Sequence, residues 1–191
     1  MQNFSKIICK LFLTIGVIMS LSTAAWADPK VLFKTNKGDF LVELNPEKAP
    51  VTVENFLSYV NSGFYSGTIF HRVINGFMVQ GGGFTQNMQE KPTKAPITLE
   101  SRNGLKNFKY TIAMARTGDP NSATAQFFIN VRDNNRLDYP SPDGFGYAVF
   151  GKVISGTDVI EDIKFSPTTI VRGMSDVPVN KIIIESATLL K

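Results

Sequence analysis

Arg72 is the residue whose neighbours raise a question of chemistry. It lies in FHRVINGFMVQGGGFT, residues 70–85, where strand-like alternation from Thr68 to Ile74 meets the turn pair Asn75-Gly76. A second apolar run follows from Phe77 to Val79, and three glycines close the stretch. That is the signature of a β-hairpin. A period of two places Phe70, Arg72 and Ile74 on one face, so a guanidinium shares a surface with two large apolar side chains. Two readings are open: an edge strand whose arginine snorkels to water, or an arginine held over an apolar pocket to meet a substrate.

Other chemistries lack their residues. His71 is the only histidine, and the single cysteine, Cys9, falls in a segment expected to be removed. A zinc site would need an all-carboxylate shell, so neither a metal nor a cofactor is expected. A Ser-His-Asp arrangement would have to use His71, which by alternation faces away from Arg72, and the chain has no G-x-S-x-G elbow. Gly81, Gly82 and Gly83 are not followed by G-K-[ST] or a helical pattern, so a phosphate loop is not expected. Such glycines let backbone pass close to a neighbour or kink a strand. Nothing in the chain is equipped for proton transfer or covalent catalysis.

The elements that must position Arg72 are mostly short strands. Val31 to Thr35 and Asp39 to Leu44 form a hairpin through Asn36-Lys37-Gly38. From Pro50 the period changes: Val53, Phe56, Leu57 and Val60 fall at i, i+3, i+4 and i+7 of an amphipathic helix stopped by Asn61-Ser62-Gly63. After the hairpin of Arg72 comes a polar loop from Gln86 to Pro96. Tyr110 to Ala115, Gln126 to Val131, Tyr147 to Ile154 and Ile182 to Leu190 read as strands, with Phe127 and Phe128 on opposite faces. Thr117 to Ala123 is turn-rich, and Asp133 to Phe145 is a loop with one helical turn around Leu137. Thr157 to Ile163 is a second helix with Val159, Ile160 and Ile163 on one side. Many short strands and two helices predict a mainly β fold, an antiparallel barrel or sandwich. A closed barrel is favoured because it leaves no exposed edge.

The first 27 residues are expected to stand apart from this domain. Lys6 and Lys10 precede an apolar run from Leu11 to Leu21, and Ala25-Trp26-Ala27 offers small residues where signal peptidase reads. The run is shorter than the ~20 apolar residues of a spanning helix, so a secretory signal cleaved after Ala27 is expected rather than an anchor. Cys9 precedes the run, which argues against a lipoprotein. The domain is then 28–191, without cysteine, and soluble in an extracytoplasmic compartment, most simply a bacterial periplasm. Losing Lys6 and Lys10 lowers the net charge from +4 to +2. Without a Lys/Arg cluster, that surplus predicts no nucleic-acid partner. With 43% hydrophobic and 19% charged residues, the chain can bury one substantial core without disulfide or metal.

FHRVINGFMVQGGGFT, followed by IAMAR at Ile112 to Arg116, QFFIN at Gln126 to Asn130 and YAVFGKV at Tyr147 to Val153, resembles the cyclophilin-type peptidyl-prolyl cis-trans isomerases. With the export signal, the likeness is to the periplasmic bacterial branch. The resemblance spans nearly the whole domain, with the blocks in the family's order. It implies a closed eight-stranded antiparallel barrel capped by two short α-helices. It also implies an isomerase of X-Pro bonds that assists folding of extracytoplasmic proteins. No cofactor is expected, and the chain is expected to act as a monomer. It assigns Arg72 as the catalytic arginine and Gln80 as its hydrogen-bonding neighbour. Phe77, Met78, Phe128 and Leu137 match residues lining the proline pocket, and Ala115, Arg116 and Gln126 match the peptide groove. Tyr147, at the pocket rim, stands where many eukaryotic members have histidine, Arg136 where they have tryptophan and Arg116 where they have asparagine. Cyclosporin binding is therefore expected to be weak.

Rotation about X-Pro gives these residue types a purpose. The planar amide resists rotation by ~18–20 kcal/mol, and in the twisted state its nitrogen regains a lone pair that accepts a hydrogen bond. A donor placed there favours the transition state alone. Arginine suits the role because it is always protonated and its fork can be pinned by a neighbour. The competing readings are a chaperone or proline-peptide binding module on the same fold, and a barrel with a purely structural role.

Overall fold

The computed structural model describes residues 28–140 and 143–190, so the expected signal peptide over 1–27 lies outside the described residues. Alternation builds the wall of the fold. Val31, Phe33 and Thr35 turn inward along β1 (Lys30–Thr35), and Phe40, Val42 and Leu44 do so along β2 (Gly38–Leu44). The hairpin register sets Phe33 opposite Phe40, and their rings stack at 4.8 Å. The wall continues through β3 (Thr68–Ile74), β4 (Met78–Thr85), β5 (Thr111–Met114), β6 (Phe127–Asn130) and β7 (Val149–Ser155). A two-stranded hairpin follows, β8 (Thr168–Val171) and β9 (Met174–Pro178), and then β10 (Ile182–Leu190). The spatial order is β1-β10-β3-β4-β6-β5-β7-β2, antiparallel and closed by β1 against β2. This is the eight-stranded barrel expected from the resemblance.

Two helices complete it. The first, α1 (Pro50–Asn61), buries Val53, Phe56 and Val60 as its periodicity requires, with Leu57 partly buried beside them. Pro50 suits its first turn, where the missing N–H has no helical partner to lose. Two of the orphan donors there are met from afar. The Glu100 carboxylate accepts from the backbone N–H groups of Val51 at 3.1 Å and Thr52 at 2.8 Å, placing negative charge at the positive end of the helix dipole. The second helix, α2 (Thr157–Lys164), buries Val159, Ile160 and Ile163.

Inside the barrel, Phe33, Phe56, Tyr65 and Phe127 pack in tilted and edge-to-face contacts with centroids 5.4–6.3 Å apart. Each fully buried ring of this kind contributes about 1.5–3 kcal/mol by leaving water. A separate apolar cluster of Met78, Ala113, Phe128 and Val149 forms apart from that core, with Ile74, Phe77, Leu105, Ala115, Leu137 and Tyr147 packed against it. Phe127 and Phe128 thus serve different clusters, as expected.

Two expectations are corrected. Phe70, Arg72 and Ile74 do not share one face. Phe70 pairs with Gly81 and Arg72 with Gln80, so β3 advances two residues while β4 advances one. This β-bulge at His71 breaks the alternation: Phe70 and Val73 enter the inner core, whereas Ile74 joins the second cluster. The glycines, moreover, do not end the hairpin but continue within β4. A Cβ on Gly82, where φ is +83°, would lie 2.8 Å from the Phe127 ring and 2.9 Å from that of Tyr65. These glycines let the strand run flush against the core.

The β8–β9 hairpin has no counterpart among the sequence expectations. Its turn, Arg172-Gly173, has positive φ at both residues (50° and 79°), the conformation that Asn-Gly usually announces. Thr168, Thr169 and Ile170 are all exposed, so no alternation marks the strand.

Candidate active site

The bulge carries Arg72 away from the interior, onto a cavity of about 120 Å³ lined by Arg72, Phe77, Met78, Gln80, Ala115, Arg116, Phe128, Leu137 and Tyr147. All nine belong to the ten site residues named from the sequence. The tenth, Gln126, is held beside them: Gln80 Nε2 donates to Gln126 Oε1 at 3.0 Å, and Gln126 Nε2 donates to Glu90 Oε1 at 3.4 Å.

Each wall has a cause in the fold. Met78 and Gln80 reach the cavity by alternation along β4, and Met78 pairs with Asn130 while Gln80 pairs with Phe128 on β6. Phe128 is 4% exposed, and its ring meets Tyr147 edge to face at 5.6 Å. Leu137 comes from the single helical turn Asn135–Leu137, tied to the neighbouring wall by Tyr147 N–H donating to its carbonyl at 2.8 Å. Met78 and Phe128 make an apolar floor; Arg72 and Gln80 supply polarity at the rim.

Arg116 is the most tightly held polar group here. Its Nε and Nη2 donate to the Gly146 carbonyl at 3.0 and 2.9 Å, Nη1 donates to the Thr117 carbonyl at 3.0 Å, and Nη2 also meets the Asp143 carboxylate. The guanidinium lies 4.4 Å from the Tyr147 ring centroid. Its side chain is 1% exposed, so it builds the wall rather than offering a free donor to the groove.

Gln80 differs from the sequence expectation. It stands opposite Arg72 in the register, yet its amide hydrogen goes to Gln126. No hydrogen bond joins Arg72 to Gln80 among the described residues. The partner of Arg72 is instead Asp176 on β9, with Nε 3.8 Å from Oδ2.

A polar chain below the cavity also escaped sequence reasoning. Asn134 Nδ2 donates to the Phe77 carbonyl and to Asn130 Oδ1, both at 2.7 Å. Asn130 Nδ2 donates to Thr111 Oγ1 at 2.9 Å and Asn107 Oδ1 at 3.2 Å, and Asn107 in turn donates to Asp138. Asn130 is fully buried. A polar residue inside the apolar strand QFFINV was the one available signal. His71 is 2% exposed against the Phe84 ring, and its Nδ1 meets no hydrogen-bond partner within bonding geometry among the described residues. Desolvation lowers its pKa to about 4, aided by the nearby Arg72 charge. Among the described residues no group of three or more His, Cys, Asp or Glu side chains could hold a metal ion.

A barrel whose outer wall carries an apolar seat beside an arginine is the architecture of the cyclophilin-type isomerases. Residues 30–189 match the family described as cyclophilin type peptidyl-prolyl cis-trans isomerase/CLD. The peptidyl-prolyl cis-trans isomerase cyp18 of Streptomyces antibioticus is 59% identical over 162 residues, covering 84% of this chain and 98% of that one. Peptidyl-prolyl cis-trans isomerase B of Escherichia coli is 54% identical over 161 residues, covering 83% and 98%. A cyclophilin type isomerase of Cryptosporidium parvum, crystallised in the presence of the dipeptide Ala-Pro, superposes with a TM-score of 0.70 at 28% identity, covering 85% of this chain and 99% of that one. The chain belongs to the cyclophilin family, and it is a peptidyl-prolyl cis-trans isomerase.

Proposed function

We propose that the enzyme isomerises X-Pro bonds in proteins outside the cytoplasm, with Arg72 as donor to the imide nitrogen and Phe77, Met78, Phe128 and Leu137 as the seat of the proline ring. The observation that carries this reading is that the arginine and all four apolar residues line one cavity. The Ala-Pro dipeptide present with the Cryptosporidium parvum relative supports a proline-containing polypeptide as substrate.

In the planar amide the proline nitrogen shares its lone pair with the carbonyl and accepts nothing. As the bond twists the pair localises, and a guanidinium proton can bind it. That charge-assisted bond contributes about 1.5–3 kcal/mol net, roughly one to two powers of ten in rate at ~1.36 kcal/mol per decade. The rest falls to the seat, which grips the ring while the preceding carbonyl swings. Its apolar walls exclude the water that favours the planar, more polar amide. Ala115, Gln126 and Tyr147 border the course of the peptide, and Arg116 fixes the wall they share. Gln80 acts through Gln126, keeping the groove's polar rim in register.

Residues 1–27 are read as a signal peptide that is cleaved, and 28–191 as the enzyme released to the periplasm as a monomer, without nucleic-acid partners or a membrane anchor. Arg136, where many eukaryotic members have tryptophan, makes cyclosporin a weak ligand. The test of the whole is exchange on a short X-Pro peptide followed by NMR, with the exported chain sized by mass spectrometry. Acceleration that falls about tenfold to a hundredfold in Arg72→Ala supports the reading; equal acceleration by that variant overturns it.

A further inference from the structure

We infer that Asp176 is a positioning residue for the catalytic arginine: its carboxylate meets the Nε edge of Arg72 and leaves the terminal nitrogens of the fork to face the proline. This rests on the role of Arg72 proposed above. Three observations carry it. Asp176 Oδ2 is 3.8 Å from Arg72 Nε, a charge contact rather than a hydrogen bond. Gln80, the residue opposite Arg72 across β3 and β4, is engaged with Gln126 and does not hold the fork. Asp176 itself sits at φ +64°, the left-handed region that side chains other than Asn and Asp avoid.

That backbone is held from the following residues. Val177 is 4% exposed and Pro178 is also buried, and they fasten the end of β9. Among the described residues the hairpin lies outside the closed barrel, and its only partner strands in a sheet are each other. Neither closing the barrel nor lining the cavity requires it. It packs along β3, the strand of Arg72, and from a left-handed backbone position brings one carboxylate to the cation of the active site. A flexible arginine side chain loses rotamer freedom when it binds the imide nitrogen. A fixed charge on its Nε side removes part of that freedom beforehand.

The experiment uses the full chain with Asp176→Asn and Asp176→Gly. Asparagine keeps the shape and tolerates the left-handed backbone, whereas glycine keeps the backbone and removes the side chain. Because the pair is about two-fifths exposed on each side, kcat on an uncharged X-Pro tetrapeptide is expected to fall roughly two- to fivefold in both variants, the range of an exposed ion pair. KM and melting temperature stay at wild-type values. Wild-type kcat falls as salt rises from about 0.05 to about 0.5 M, where screening shortens to a few ångströms, and the Asn variant shows no such slope. In an Arg72→Ala background the Asn substitution has no further effect. The Nε–H NMR signal of Arg72 shifts in Asp176→Asn, a readout independent of turnover. Wild-type kcat and salt slope in both variants, a loss that persists without Arg72, or an unmoved Nε–H signal would overturn the inference. If the signal shifts but Arg72→Ala retains full activity, the bracing stands and the role given to Arg72 falls.

Discussion

Phe70 and Arg72 are two residues apart on β3, yet Phe70 is sealed in the inner core at 0% exposure while Arg72 opens onto the cavity outside it. One inserted residue in the ladder separates packing from chemistry. Arg72→Ala therefore removes no core contact and should unfold at the wild-type temperature. Its kcat/KM should drop about tenfold to a hundredfold, the value of one charge-assisted hydrogen bond. A protease-coupled or NMR-exchange assay reads the loss, and circular dichroism reads the fold.

Neighbouring His71 makes stability depend on acid. Its folded-state pKa of about 4 lies below the ordinary 6.5 because burial disfavours the charged ring. The unfolded chain therefore binds a proton in that window that the folded chain refuses. The stability this group protects is complete above about pH 6.5 and drains as pH falls toward 4, by on the order of 3 kcal/mol in all. His71→Phe, which keeps a ring against Phe84, should flatten the melting-temperature profile between those limits relative to wild type. Turnover should stay flat from about pH 6 to 8, since no proposed step transfers a proton. A bell-shaped rate profile would contradict this.

Gly82 and Gly83 are adjacent but serve different ends. Gly82→Ala forces a side chain into a positive-φ position against two aromatic rings, so it should destabilise the protein by more than about 1 kcal/mol. A Cβ on Gly83 would meet the side chain of Gln126 at 2.4 Å. Gly83→Ala should displace the amide that holds Gln80, lowering kcat/KM with a smaller effect on stability. Denaturant unfolding and peptide kinetics on the two variants separate the effects.

Asn134→Ala removes the amide that donates to the Phe77 carbonyl and to Asn130. The Phe77 carbonyl keeps the Val131 N–H at 3.1 Å, but Asn130 Oδ1 loses its donor; one unmet buried acceptor costs about 1–3 kcal/mol, and the wall carrying Phe77 and Leu137 should loosen. A raised KM for proline peptides with a lowered unfolding midpoint is the expected outcome.

Calorimetry with cyclosporin should detect only weak binding, because Arg136 offers an exposed cation at the position where the resemblance places an indole in many eukaryotic members. A tight dissociation constant would count against this account of the rim.

Much of the architecture was legible because period two and period 3.6 are local. Val53, Phe56 and Val60 announced the face of α1, and the turn pair Asn75-Gly76 announced the hairpin of Arg72. The bulge at His71 was not legible, since it exists only in the pairing of β3 with β4 and leaves no mark in β3 alone. The Glu100 cap of α1 and the Asp176 contact with Arg72 join residues far apart in the chain, and no pattern within a segment encodes them. The cavity residues are named through the family's motifs rather than periodicity, which marks Phe77, Met78 and Phe128 only as apolar positions near or in strands.

The sealed ring of eight strands also bears on the company this enzyme keeps. A proline-containing chain that has not finished folding would carry backbone donors and acceptors still seeking partners. Every strand of the ring is already paired on both sides, so such a chain finds no ladder there to extend. The outer seat beside Arg72, rather than a sheet edge, is then the place such a chain meets.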